Sequence, residues 1–220
     1  LQKYQVKRLH PGRRHRETTP AAIQYLATTT IGVERVQSLV RPLYEVVGPM
    51  TDASIHLIRI ARPADSDVVS ALLAASYSSL LAARYDSDTL GRALPLMISA
   101  NPTLLASGTY YIAEREPGNL VGCGGWTTAR PGSGEINEGE AHIRHFATHP
   151  EWVGRGIGTS LLARCFDDAR QLSIRKLHCF STLNAERFYQ ASGFETIGPI
   201  DVPMGPSVTF PGVLMSRELT

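Results

Sequence analysis

The sequence predicts a mixed α/β domain (α+β, mixed sheet) with the element order β-αα-ββ-β-α-β-α-ββ. Three observations lead there. Apolar residues from position 55 onward switch repeatedly between the alternate spacing of a strand and the three-and-four spacing of a helix. Turn-forming clusters such as "RPADSD", "REPGN" and "ARPGSGEINEGE" punctuate those segments. An apolar content of 43% with 19% charged residues over 220 positions supports a buried core and excludes a disordered chain.

"IHLIRIA" alternates like a strand and ends at "RPADSD", where Asp65 is placed to cap the next helix. In that helix Val69, Leu72, Leu73, Ser76, Leu80 and Ala83 recur at helical spacing. A second helix runs from Ser87 to about Ser99 and closes at "NP". "TYYIAE" and "LVGCGGWTT", joined by "REPGN", read as a hairpin. "ARPGSGEINEGE" is a polar loop, long enough to act as a lid. "AHIRHFATHP" is the next strand. The helix behind the following glycine loop carries Ile157, Leu161, Leu162, Cys165, Phe166 and Ala169 on one stripe. "KLHCFSTL" is a strand, "NAERFYQAS" a short helix stopped by Gly193, and "SVTFPGVLMSREL" the last extended piece.

Charge is unevenly distributed. Residues 1–49 hold eight Lys or Arg against three Asp or Glu, whereas the remainder holds fourteen against seventeen. The domain is thus slightly acidic, and no nucleic-acid partner is expected. Residues 1–49 are expected to lie outside the domain, which is taken as 50–220. They read as upstream sequence ahead of Met50, as a flexible arm, or as an Arg-rich targeting leader. No apolar run approaches the roughly 20 residues that span a bilayer, so no membrane partner is expected. Cys123, Cys165 and Cys179 are odd in number and lack metal-ligand spacing. They are expected to be reduced, buried thiols of a cytoplasmic protein, with no metal site.

The stretch "HPEWVGRGIGTSLLARC" places Gly154, Gly156 and Gly158 directly before a helix. A helix start presents unpaired N–H groups and the positive end of the dipole, and glycine lets an anion reach them. A nucleotide P-loop would need Lys before Thr159, and a dinucleotide fingerprint would need glycine where Leu161 stands. Neither pattern fits, which leaves another phosphate ligand or a plain glycine turn.

The surroundings narrow the choice. Strand "HIRHFATHP", loop "EWVGRGIGTSLL", strand "KLHCFSTL" and helix "NAERFYQASGFE" follow in order. Together they resemble the acetyl-CoA-binding half of the GNAT superfamily of N-acetyltransferases. Two motifs carry the resemblance: an Arg/Gln-x-x-Gly-x-Gly/Ala loop and an Asn…Phe-Tyr…Gly-Phe stretch. It extends over the element order from Ile55 to the C-terminus, and it implies a GNAT-like acyl-CoA N-acyltransferase fold. One position departs: the Arg/Gln of the loop is Val153 here.

The resemblance implies acetyl-CoA as cosubstrate. Its pyrophosphate would lie on the backbone of Val153, Gly154, Arg155, Gly156, Ile157, Gly158 and Thr159. Its pantetheine arm would pair with Phe146 and Thr148 where the two strands splay, and Asn184 would touch the arm or simply cap its helix. The reaction is attack of an amine on a thioester. An alkylamine is free base in roughly one molecule per few thousand at pH 7, a handicap of about 4–5 kcal/mol, so a base is expected. His142 occupies the place of the family's catalytic carboxylate by ungapped counting. Glu140 shares its strand face, His145 points the other way by alternation, and bulk or ordered water is the remaining candidate base. Tyr189 is the candidate proton donor to the departing sulfur, or else a packing residue beside Phe188. Tyr77, Tyr85, Tyr111 and Trp126 are candidates to line the site of a small-molecule or peptide amine acceptor, or else ordinary core residues.

The expected activity is N-acetylation of a primary amine. The alternatives are a CoA-binding regulatory module without turnover, suggested by Val153, and the same fold moving a longer acyl group. A homodimer is expected if the C-terminal strand is exposed.

Overall fold

Seven strands form one mixed sheet in the order β1-β2-β3-β4-β5-β7-β6. They are β1 (Leu57–Ile60), β2 (Tyr110–Glu116), β3 (Asn119–Thr127), β4 (Glu140–Thr148), β5 (Lys176–Ser181), β6 (Glu195–Gly205) and β7 (Val208–Glu218). This computed structural model describes residues 56–205 and 208–220. The expected leader and the start at Met50 lie outside them. Every neighbouring pair is antiparallel except β4 with β5. A parallel pair needs a crossover, and helix α4 (Ile157–Gln171) supplies it.

Helices cover both faces, which is why β2 and β3 are buried along most of their length. On one face α4 turns Ile157, Leu161, Leu162, Cys165, Phe166 and Ala169 inward, the stripe read from the sequence. They meet Tyr111, Ala113, Ile143 and Leu177 of the sheet. On the other face lie α1 (Ser66–Leu80), α2 (Ser87–Met97) and the single turn α3 (Pro102–Leu105). There Val69, Leu72 and Leu73 pack on Tyr110, Ile112, Cys123 and Ala147. Tyr110 and Ile112 thus face one layer while Tyr111 and Ala113 face the other, as the two-residue period requires. Each fully buried aliphatic side chain contributes roughly 1.5–3 kcal/mol by leaving water.

The helix starts differ from expectation in one case. Asp86 and Asn101 cap α2 and α3 by accepting from Thr89 N and from Thr103 N and Leu104 N. Asp65 precedes α1 but gives its carboxylate no bond to that helix. It accepts from Arg62 N at 2.7 Å and pairs with the Arg59 guanidinium at 2.8 Å. Arg59 also holds Glu114 at 2.9 Å. This three-charge network ties edge strand β1 to β2 and to the entry of α1, so charge pairing overrides capping. Ala83, expected on the α1 stripe, lies beyond the helix end and is exposed. The C-terminal strand is not an edge either. β7 is held between β5 and β6, so the exposed edge that the homodimer expectation invoked belongs to β6. All three cysteines are free and buried.

The Arg59 network sets an acid limit on stability. Arg59 holds the Asp65 and Glu114 carboxyls below the usual carboxylate range. Depressed carboxyl values stabilise the fold above about pH 4 and lose that contribution as pH falls through the folded-state values. Arg59→Gln leaves two carboxylates facing each other. It should cost about 2–3 kcal/mol at pH 7 in urea denaturation and flatten the acid limb of the stability profile.

Candidate active site

The site begins with a short parallel pairing. β4 and β5 pair only at Glu140–Lys176, Ala141–Leu177 and His142–His178, after which they part. From Ile143 onward the β5-facing edge of β4 is left without a strand partner, as the splay reading requires.

A bulge accompanies the parting. On the β3 side, Gly125 is opposite Arg144 and Cys123 opposite Ala147, so Gly124 alone faces both His145 and Phe146. His145 takes a positive φ of 45°. The extra residue breaks the alternation of β4: Ile143 packs in the α4 layer, yet Ala147, four residues on, packs in the α1 layer. Two hydroxyls hold the bulge from the α1 side. Tyr110 donates to the His145 carbonyl at 2.9 Å, and Tyr77 to the Phe146 carbonyl at 3.3 Å.

The glycine loop follows a 3-10 turn over Pro150–Trp152. Gly154 and Gly156 both have φ 78°, a conformation side chains rarely adopt, and a Cβ on either would meet nothing within 4 Å. α4 therefore starts on a bare backbone, with no side-chain cap and no acid in its first turn. Gly158 serves packing: a Cβ there would lie 3.1 Å from the Phe188 ring.

Between loop, splay and helices opens a cavity of about 600 Å³. Of the residues predicted from sequence, Phe146, Thr148, Val153, Gly154, Gly156, Ile157, Gly158, Thr159, Asn184 and Tyr189 line it. Arg155 does not; its guanidinium lies 4.3 Å over the Trp152 ring, which also carries Arg115 at 4.6 Å. Asn184 is not a cap, because α5 (Glu186–Ala191) starts behind Ala185. Tyr189 is buried among the rings of Phe146, Phe188 and Phe194, with centroids at 6.3, 5.0 and 5.4 Å. Burial beside Cys179 pushes its phenol well above the ordinary value. Burial raises the Cys179 thiol to about 12, against the lowering effect of the Tyr189 hydroxyl.

The base candidates fall differently from the sequence reading. Glu140 and His142 are off the cavity lining, whereas His145 is on it. The bulge at His145 and Phe146 lies between His142 and the glycine loop, so ungapped counting and strict alternation both run across an extra residue there. Burial lowers both His142 and His145 to about 4. His142 stacks on His178 at 5.2 Å, and His178 Nε2 meets the Glu140 carboxylate at 3.0 Å. His178 escaped the sequence reading because only the β4–β5 register reveals it opposite His142. Of the four aromatics proposed for the acceptor side, Tyr77 alone lines the cavity. Tyr85 instead accepts from Leu183 N and donates to the Pro211 carbonyl, and Tyr111 and Trp126 belong to the α4-side core. Phe180, Val202, Met204 and Phe210 also line it and were not anticipated.

The family model for the acetyltransferase (GNAT) domain matches residues 106–196, from the turn before β2 to the start of β6. Residues 106–196 thus read as a GNAT acetyltransferase domain. Solved structures agree on the fold. A GCN5-related N-acetyltransferase from Rhodopseudomonas palustris is 22% identical over 78% of this chain and all of its own, with a TM-score of 0.56. The PaiA N-acetyltransferase of Thermoplasma acidophilum, in complex with coenzyme A, is 15% identical over 75% of this chain and 99% of its own, at 0.56. A GNAT-family acetyltransferase from Staphylococcus aureus is 16% identical over 75% and 99%, at 0.55. No curated protein shows significant similarity to the chain. Among the described residues of the GNAT domain, no helix is long and apolar enough to cross a membrane. Nor does any cluster of three His, Cys, Asp or Glu side chains there suit a metal ion.

The bulge depends on glycine at 124, where a Cβ would stand 2.4 Å from the Phe146 ring. Gly124→Ala should destabilise the domain by about 1–3 kcal/mol in urea unfolding. The penalty should shrink in a Phe146→Leu background, which a double-mutant cycle measures.

Proposed function

We propose that the domain transfers the acetyl group of acetyl-CoA to a primary amine, with Tyr189 supplying the proton that the departing sulfur takes up. One observation carries this reading. The bare, acid-free start of α4 and the parted edges of β4 and β5 open into the same cavity, and Tyr189 lines it.

The residues present fit the cosubstrate. Gly154 and Gly156 clear the backbone before Ile157, Gly158 and Thr159, whose N–H groups and helix dipole favour a pyrophosphate. The exposed Val153 removes a side-chain donor but leaves that backbone in place. Phe146 and Thr148, on the free edge of β4, can take an amide-bearing arm as a further strand, with Asn184 across the gap. The coenzyme A bound by the Thermoplasma acidophilum relative is in keeping with this. When bound, acetyl-CoA supplies an acetyl group activated as a thioester.

Tyr189 suits the donor role because burial keeps its phenol protonated and its lining position gives it access to the cavity. Its packing against three rings fixes the hydroxyl rather than competing with the chemistry. His145 is the imidazole of the wall, held neutral by burial.

Titration of the full chain with acetyl-CoA by calorimetry tests the reading. Gly156→Asp and Gly156→Asn have the same shape, and both residue types tolerate a positive φ. The charged variant alone should lose about tenfold to a hundredfold in affinity. Equal affinities for the two would remove the pyrophosphate from the helix start, and absence of binding by wild type would overturn the function. Tyr189→Phe should keep acetyl-CoA affinity and lower kcat roughly a hundredfold or more in a thiol-release assay. An unchanged kcat would return Tyr189 to a packing role.

A further inference from the structure

Beyond Tyr189 the cavity continues between α1, α2 and the β6–β7 hairpin. Its wall there is made by Tyr77, Leu81, Met97, Phe180, Met204 and Phe210. Among the described residues, no Asp, Glu, Lys or Arg lines any part of the cavity. Its titratable groups add no charge near neutral pH. Burial holds His145 neutral down to about pH 4 and raises Cys179, Tyr77 and Tyr189.

From this wall we infer that the acceptor is a small primary amine with an apolar body and no second charge, taken up as the free amine. The inference rests on the acetyltransferase reading and narrows it. A carboxylate or second ammonium on the acceptor would be buried without a partner, which costs several kcal/mol. An apolar body, above all an aromatic one, matches Phe180 and Phe210 and the thioether of Met204. A volume of 600 Å³ suits a small molecule rather than a protein segment, given that the cosubstrate arm shares it.

The same wall bears on the proton balance. Desolvation disfavours an ammonium, so the neutral cavity selects the free base that the reaction needs. From that form the nitrogen lone pair makes the new C–N bond and the C–S bond breaks; the nitrogen, made acidic by bonding to carbon, gives one N–H proton to water, sulfur takes one from Tyr189, and water returns a proton to the phenolate. No strong base is required within the cavity, consistent with Glu140 and His142 standing off its lining.

The test uses the full chain with saturating acetyl-CoA and a thiol-release readout. Phenethylamine, spermidine, lysine and glutamate are compared at matched concentrations of free amine. Phenethylamine should exceed each of the others at least about tenfold in kcat/KM. Met204→Glu should move the preference toward spermidine, and Met204→Gln, its uncharged isostere, should not. Acetyl-CoA binding with better use of spermidine, lysine or glutamate overturns the acceptor class alone. Binding without turnover of phenethylamine does the same. Faster transfer from hexanoyl-CoA than from acetyl-CoA also overturns it, since the apolar half would then hold the acyl chain. No acetyl-CoA binding at all removes the transferase reading, and the acceptor class with it.

Discussion

The parting of β4 from β5 after three paired residues is the constraint on which the site depends. A parallel pair inside a covered sheet would normally continue, because unpaired peptide groups there are costly. Here the bulge at His145 turns β4 away, and the surrounding sequence is adapted to it. Gly124 leaves room for the Phe146 ring, and Tyr110 and Tyr77 take up the two bulge carbonyls. Phe146 in turn packs on Tyr189, so one local irregularity places the free strand edge and the candidate proton donor against the same space.

That space has two electrostatic ends. At the glycine loop the start of α4 offers uncapped N–H groups and a dipole that no acidic side chain neutralises. At the hairpin end the wall is apolar and uncharged. The division suits a ligand whose charge is concentrated far from its reactive group. It lets affinity come from the anionic end while the reacting end stays free of competing charges.

Much of this was legible in the sequence where periodicity is strong. The α4 stripe matches its buried residues one for one, and the glycine loop and the Phe-Tyr helix both line the cavity. What periodicity could not give was register. His145 lies on the cavity wall and His142 does not, and the single-residue bulge at this point leaves no trace in a pattern read two residues at a time. Position in the sheet was equally hidden. The last strand reads as terminal in sequence but lies inside the sheet, because β6 extends beyond it. Asp65 looked like a cap because local spacing cannot show a guanidinium arriving from six residues earlier.

Burial raises a question that the structure also answers. A phenol pushed well above its ordinary value is a weaker acid, which would make Tyr189 a poor donor to an ordinary thiolate. Cys179 in the same wall gauges what happens to sulfur there. Its thiol is pushed from 9.0 to about 12 by burial, against the lowering effect of the Tyr189 hydroxyl. In the proposed reaction, a sulfur departing beside it would meet the same low dielectric and become more basic, the direction in which the phenol also moves. In the proposed reaction donor and acceptor would then shift in the same direction, so burial alone would not set the phenol against the sulfur. A dry wall therefore favours the free amine at one end of the reaction without penalising the proton delivered at the other.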